Sequence, residues 1–267
     1  MTEIDLIVVP DEDEPEAAEV FVDGAIGGNP YRFLLDTGAA KTSVLADDYL
    51  LTFHSAEKDS SSGIFARSSE DMITVPLLEV GRLSKKNFTL VRDTPSVGKS
   101  NLLGMDFLKD FCCHFRFDEN RVGIDEVVEE STDFQELIFD SRFHPYVRVQ
   151  FEEASAHAVW DSGASITVVD ASFIEKHPTF FQEAGQSTGI DSTGTEVETP
   201  MFTMKEIQIG NHFFPPQRVA KVDLRQVNAT IEIPMDLILG YSTLSKAHWQ
   251  FDFPLRKWAI SQWLDHS

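Results

Sequence analysis

Phe33-Leu34-Leu35-Asp36-Thr37-Gly38-Ala39 decides how this chain is read, because it returns 125 residues later as Ala158-Val159-Trp160-Asp161-Ser162-Gly163-Ala164. Each copy is an apolar run that ends in Asp-Thr/Ser-Gly-Ala, with a threonine (Thr42, Thr167) three residues beyond the alanine. Two further landmarks recur in the same order. Leu77-Leu78-Glu79-Val80-Gly81 is echoed 129 residues on by Glu206-Ile207-Gln208-Ile209-Gly210. Asn101-Leu102-Leu103-Gly104 is echoed 136 residues on by Leu237-Ile238-Leu239-Gly240. Landmarks that repeat in order at slowly growing offsets mark an internally duplicated domain with a few insertions.

Around these landmarks most segments carry β signals, short apolar runs bounded by turn residues. Residues 20–26 and 31–35 flank Gly27-Gly28-Asn29-Pro30, which predicts a hairpin. Residues 146–151 alternate with period two, and residues 156–160 follow a short polar turn. Residues 72–80, 88–91, 204–209 and 219–222 read as further strands, as do the pairs 114–117 with 121–124 and 249–253 with 257–260. One short helix is expected per half, over residues 105–109 and 241–246, directly after each apolar-apolar-Gly. The predicted organisation is therefore mostly all-β: an N-terminal lobe over residues 1–126, an acidic linker over 127–142 and a C-terminal lobe over 143–267.

The repeated unit has a chemical sense. An apolar strand carries a carboxylate into a water-poor setting, and the glycine after it leaves room for a second backbone to approach. Thr37 and Ser162 each offer a short hydroxyl able to hydrogen-bond to the opposite loop. One such aspartate does little alone. Two at hydrogen-bonding range cannot both ionise comfortably, so they share a proton and titrate as a unit. The ionised member can take a proton from water while the protonated member donates to a substrate carbonyl, which suits amide hydrolysis without metal or cofactor. One aspartate per copy is the stoichiometry this chemistry needs. Asp36 and Asp161 are the candidate catalytic pair, supported by Thr37, Gly38, Ala39, Ser162, Gly163 and Ala164.

Composition narrows the alternatives. The 267 residues include 22 Lys+Arg against 44 Asp+Glu, a formal charge of −22. That sign repels phosphate backbones and anionic lipid headgroups, so neither nucleic acid nor a membrane is an expected partner. With 42% hydrophobic and 25% charged residues, the chain has a globular composition. Adjacent Cys112 and Cys113 are poorly placed for a mutual bridge and read as small apolar fillers of a strand. No signal peptide and no apolar run of spanning length is evident, so a soluble, cytoplasmic protein is expected.

The two Asp-Thr/Ser-Gly-Ala motifs, each followed by an apolar-apolar-Gly, resemble the retroviral-type (retropepsin-like) aspartic proteases over about residues 18–126 and 143–262. The resemblance implies two acid-protease β-barrel lobes fused in one chain, each closed or partly open, with the active site between them. A monomer with intramolecular pairing of its lobes follows, acting on a peptide or protein substrate. It also implies a substrate-covering flap midway along each lobe. The matching stretches centre on Gly63-Ile64 and Gly189-Ile190, 27 and 28 residues beyond the respective aspartates. Trp160 stands where the family usually has a smaller aliphatic residue, as core or as a crowding group. Ala40 and Ser165 replace a second aspartate common in retroviral enzymes. Ala39 and Ala164 lack the serine hydroxyl of pepsin-like motifs, which predicts a less acidic pair working at mildly acidic to neutral pH.

Other chemistries fail on spacing. Gly98-Lys99-Ser100 would need a glycine at position 93, which is Asp93, to end a phosphate-binding loop. No His-Glu-x-x-His or nucleophile-elbow pattern is present. Two readings remain: an aspartic endopeptidase, and a catalytically inactive peptide-binding protein that keeps the fold. A third arrangement keeps the enzyme but pairs equivalent lobes between two chains.

Overall fold

The computed structural model describes residues 2–62, 67–125, 133–190 and 196–264. Gly27 and Gly28, at φ 55° and 84°, form the two-residue turn of the first predicted hairpin, with Ile26 opposite Asn29. Two successive positive φ values belong to the turn that matches strand twist, and glycine takes them without strain. Asn29 and Pro30 start the second strand rather than completing the turn, and the fixed register leaves Phe33, Leu34 and Leu35 buried.

In the N-terminal half six strands close into a ring. Ala18–Ile26 pairs with Asn29–Leu35, then the path runs through Asn101–Leu103, Ser43–Leu45, Leu83–Asp93 and Arg67–Val80, which pairs back onto Ala18–Ile26. Closure removes exposed strand edges and lets Val20, Val22, Phe33, Val44, Ile73, Val75, Leu78 and Leu90 share one interior. The C-terminal half repeats the central pairings. Trp160 aligns in parallel with Leu239 as Leu35 does with Leu103, and Val168 lies parallel to Ala220 as Ser43 does to Val91. Its ten-stranded sheet runs as an open path from Phe181–Ile190 to His212–Phe214.

A third, six-stranded sheet is shared by the two halves. Its inner strands, Cys112–Arg116 and Ala247–Asp252, pair across the middle, with Phe115 opposite Trp249. Trp160 is fully buried beneath this sheet, its ring centroid 4.6 Å from that of Phe115 and 4.7 Å from that of Phe251. Its indole Nε1 has no hydrogen-bond partner, so its burial rests on ring packing alone. Cys112 and Cys113 are free thiols on the same sheet, and burial pushes both up, Cys112 to about 11.

Two features differ from expectation. The two helices after the glycines are present as Met105–Leu108 and Tyr241–Leu244, but the C-terminal half carries two more, Ala171–Lys176 and Arg225–Asn228, so one helix per lobe is corrected. Both extra helices are single short turns set between strands, held by contacts that short-range periodicity does not report: the Asp170 carboxylate ahead of the first accepts the Leu224 N–H ahead of the second at 2.9 Å. The described part of the predicted linker is not a bare connector, since Gln135–Glu136 pairs with Lys257 and Trp258 and Ile138–Phe139 with Pro145 and Tyr146. The sequence left the role of the acidic stretch Asp11–Glu19 open; it crosses to the other half, where both Glu14 carboxylate oxygens bind the Arg218 guanidinium at 2.9 Å and Glu16 meets Lys246 at 3.3 Å.

Candidate active site

The repeated motif turns are delivered to one place from opposite halves. Asp36 follows Asn29–Leu35 and donates its N–H to the Leu103 carbonyl at 3.0 Å; Asp161 follows Ser155–Trp160 and donates to Leu239 at 3.0 Å. Each aspartate thus rests on the apolar run of its own glycine motif. Gly104 and Gly240 sit beneath the turns, as packing positions should. A Cβ on Gly104 would fall 2.6 Å from the Lys41 carbonyl carbon, and one on Gly240 would fall 2.4 Å from the Ile166 oxygen.

The two hydroxyls cross between the halves, and do so reciprocally. The Thr37 hydroxyl donates to the Trp160 carbonyl at 2.7 Å, and the Ser162 hydroxyl donates to the Leu35 carbonyl at 2.6 Å. In return the Ser162 N–H donates to Thr37 Oγ1 at 3.0 Å, and the Thr37 N–H to Ser162 Oγ at 3.3 Å. All four groups are buried, so each bond satisfies atoms that water cannot reach. Trp160 therefore contributes its carbonyl to this cross-link while its ring lies in the core, which favours the core reading of that residue over crowding.

Gly38 and Gly163 lie over the opposite carboxylates. A Cβ on Gly38 would meet Asp161 Oδ2 at 2.4 Å, and one on Gly163 would meet the Asp36 Cγ at 2.5 Å. Asp161 Oδ1 accepts the N–H of Gly163 at 2.8 Å and of Gly38 at 3.2 Å. The two carboxyls are in hydrogen-bond contact with each other. Burial, then the neighbouring Asp161 charge, pushes Asp36 well above the usual carboxylate range. Burial also raises Asp161, but the glycine N–H groups favour its ionised form. Burial raises both carboxyls and each feels the other, so the pair titrates as a unit.

A family model described as gag-polyprotein putative aspartyl protease matches residues 22–110. That segment resembles the retropepsin-like aspartic proteases. It covers a third of the 267-residue chain and takes in both Asp36-Thr37-Gly38-Ala39 and Asn101-Leu102-Leu103-Gly104. No curated protein matches the chain significantly.

Within the matched segment, Thr42 links the motif turn to the glycine motif. Its hydroxyl donates to Asp106 Oδ1 at 2.6 Å, its N–H donates to the same oxygen at 2.9 Å, and its Oγ1 accepts the Gly104 N–H at 3.1 Å. Burial raises the Asp106 carboxyl, against the pull of the Thr42 donors. The other half replaces that carboxylate with hydroxyls. Thr167 lies 2.6 Å from Thr243 Oγ1, and Ser242 Oγ accepts the Thr167 N–H at 3.0 Å. Thr243 in turn donates to Gln217 Oε1 at 3.0 Å. Sequence reasoning singled out Thr42 and Thr167 but missed Asp106, whose only signal was a carboxylate two residues past the motif glycine.

Ala39 and Ala164 serve through their backbones, their carbonyls accepting the N–H of Met105 and Tyr241, each at 2.8 Å. Gly189 and Ile190 end the Phe181–Ile190 arm of a hairpin with Glu196–Met204, Gly189 standing opposite Val197. The corresponding N-terminal hairpin pairs Ser55–Ser62 with the start of Arg67–Val80. Gly63 and Ile64 lie outside the described residues. Among the described residues no helix is long and apolar enough to cross a membrane, and no three His, Cys, Asp or Glu side chains gather as a metal site requires.

Proposed function

We propose that this chain is an aspartic endopeptidase, with one active site built from Asp36 and Asp161 of its two duplicated lobes. The observation that carries the reading is the reciprocal Thr37–Ser162 cross-link, which presses two buried carboxyls together beneath two glycines. Such a construction raises the proton affinity of the pair, and a structural turn has no need of it. A water bound between the carboxyls attacks the scissile carbonyl carbon. Asp161, ionised, takes the water's proton as the new C–O bond forms, and Asp36 gives its proton to the carbonyl oxygen. In the collapse the C–N bond breaks, the amine leaves with the proton from Asp161, and Asp36 recovers one from the hydroxyl. The two long hairpins, Ser55–Ser62 with Arg67–Val80 and Phe181–Ile190 with Glu196–Met204, cover the peptide and exclude water.

The working range is mildly acidic to neutral. The raised pair must be singly protonated, and no serine hydroxyl stands at Ala39 or Ala164 to favour the ionised form. The alternative, an inactive peptide-binding protein, drew on Trp160 and on the replaced aspartates at Ala40 and Ser165. Burial of the Trp160 ring away from the pair removes the first support. Cleavage of casein and of a mixed peptide library between about pH 3.5 and 7.5 tests the proposal. The wild type is expected to cleave, and Asp36→Asn and Asp161→Asn to lose at least about a thousandfold while remaining folded by circular dichroism. A folded wild type silent at every pH would favour the binding protein.

A further inference from the structure

The two long hairpins are each tied near the base by an arginine, but the acid that holds the arginine comes from different places. In the N-terminal half Arg92 donates from Nη1 to the carbonyls of Leu50 and Phe53, at 2.8 and 3.0 Å, just ahead of Ser55–Ser62. Its partner acid, Asp71 at 2.7 Å, lies on Arg67–Val80, the return arm of the same hairpin. In the C-terminal half Arg218 stands opposite Thr203, and Thr203 opposite Gln182, so its side chain crosses one arm of the hairpin to reach the other. There its Nη1 donates to the Ala184 carbonyl at 2.7 Å. The acid is Glu14, from the other half of the chain.

The place that Arg218 grips is a weak point of the ladder. Glu183 pairs with Phe202 and Gln186 with Pro200, which leaves Ala184 and Gly185 together against Met201 as a bulge, with Gly185 at φ 89°. Pro200 has no N–H to give, and Phe181–Ile190 is the edge strand of its sheet. A bond from outside the ladder thus holds the arm where its own pairing is interrupted. Glu14 is presented firmly. It sits in the tip joining Ile7–Pro10 to Ala18–Ile26, where the Asp11 N–H donates to the Ala17 carbonyl at 3.0 Å and Asp11 Oδ1 accepts the N–H of Asp13 and of Glu14 at 2.8 and 2.9 Å. The Glu14 side chain is 12% exposed, and its two-point grip on the guanidinium sets the direction of the third donor. A cavity of about 370 Å³, with Glu14, Ala17, Thr203 and Arg218 among its walls, lies between loop and arm, so here the arginine and not packed side chains joins them.

We propose that Arg218, aimed by Glu14, is a positioning residue through which the acidic loop of the N-terminal half sets the rest position of the C-terminal hairpin. The hairpin's action on a peptide rests on the endopeptidase reading; the mechanical link does not. A guanidinium freed from Glu14 still reaches Ala184 but loses the two contacts that aim it, so it holds the bulge less of the time. Without the guanidinium the bulge carbonyl loses its donor altogether. On the endopeptidase reading the hairpin then closes less completely over bound peptide, and KM rises while kcat, set at the dyad, is held. The N-terminal hairpin carries its own acid, Asp71, and stands outside this link.

Hydrogen–deuterium exchange of the full chain, read by mass spectrometry on peptides from both hairpins, tests the link. Arg218→Met, which keeps an apolar stem, is expected to speed exchange over Phe181–Ile190 at least about tenfold and to leave Ser55–Ser62 unchanged. Glu14→Gln is expected to speed the same arm about threefold from the other half of the chain, and the double variant to exchange no faster than Arg218→Met alone. The glutamine variant supplies the measurement if the methionine variant does not fold. KM for a cleaved peptide is expected to rise in the same order, with kcat held. An unmoved Phe181–Ile190 arm in a folded variant, equal acceleration of both hairpins, or additive effects in the double variant overturns the inference. A loosened arm in a protein that cleaves nothing supports it while rejecting the endopeptidase reading; cleavage with an unmoved arm does the reverse.

Discussion

In the N-terminal half the strand before the aspartate ends on Leu35 and belongs to a closed ring; in the C-terminal half it ends on Trp160 and its sheet stays open. The turns that follow are nonetheless bonded alike, hydroxyl to opposite carbonyl in both directions. Beneath them the halves diverge again, with a buried carboxylate at Asp106 on one side and a Thr167–Thr243–Gln217 hydroxyl chain on the other. Symmetry is kept where two carboxyls must meet at one distance and is relaxed a shell farther out. A single chain is free to do this, because its two halves are separate stretches of sequence.

The largest effects are expected where the symmetry is strict. Gly38→Ala and Gly163→Ala each drive a methyl into the opposite carboxylate, so peptide cleavage should fall at least about a hundredfold in both. Unequal losses would show that the two turns are not equivalent in use. Next comes the difference beneath them. Trp160→Leu empties a large ring site under the shared sheet and should cost about 3 kcal/mol in urea unfolding. Breaking the cross-link from either side, with Thr37→Val or Ser162→Ala, leaves buried backbone groups unpaired and should cost about 1–3 kcal/mol, by similar amounts.

Titration gives a further handle on the comparison. A carboxyl raised in the folded state contributes stability that is fully present below its unfolded pKa and is lost as pH rises through its folded pKa. Asp36 is raised, so Asp36→Asn should melt higher than wild type near pH 7, with the gain vanishing below about pH 4. Differential scanning calorimetry at both pH values checks this; a gain that grows toward acid would contradict it. The smallest effect is expected at the ion pair that ties the N-terminal stretch to the other half. Glu14→Gln weakens a partly exposed ion pair and should cost less than about 1 kcal/mol, fading as salt is added.

Much of this organisation was legible in the chain. The motif turns, their apolar strands and the glycine motifs are local patterns that recur, and recurrence separates them from chance. Thr37 and Ser162 were recognisable as hydroxyls meant for the opposite loop because each follows an aspartate in the same frame. What stayed hidden was long-range. Nothing near Glu14 announces Arg218, and residues 133–139 show no period of their own because their pairing partners lie elsewhere, at Trp258 and Tyr146. Asp106 was overlooked for a related reason. It matters through Thr42, a partner that sequence spacing does not single out, and the opposite half carries Ser242 in its place.

The central claim is that one chain makes one dyad from its own two halves, and mixing measures it directly. Asp36→Asn and Asp161→Asn are assayed for peptide cleavage separately and then together, at low concentration beside wild type. Each variant alone and the mixture are predicted to be inactive, because every chain carries one spoiled carboxyl in its only site. Cleavage retained by either single variant, or recovered on mixing, would mean that lobes pair between chains and would contradict the claim.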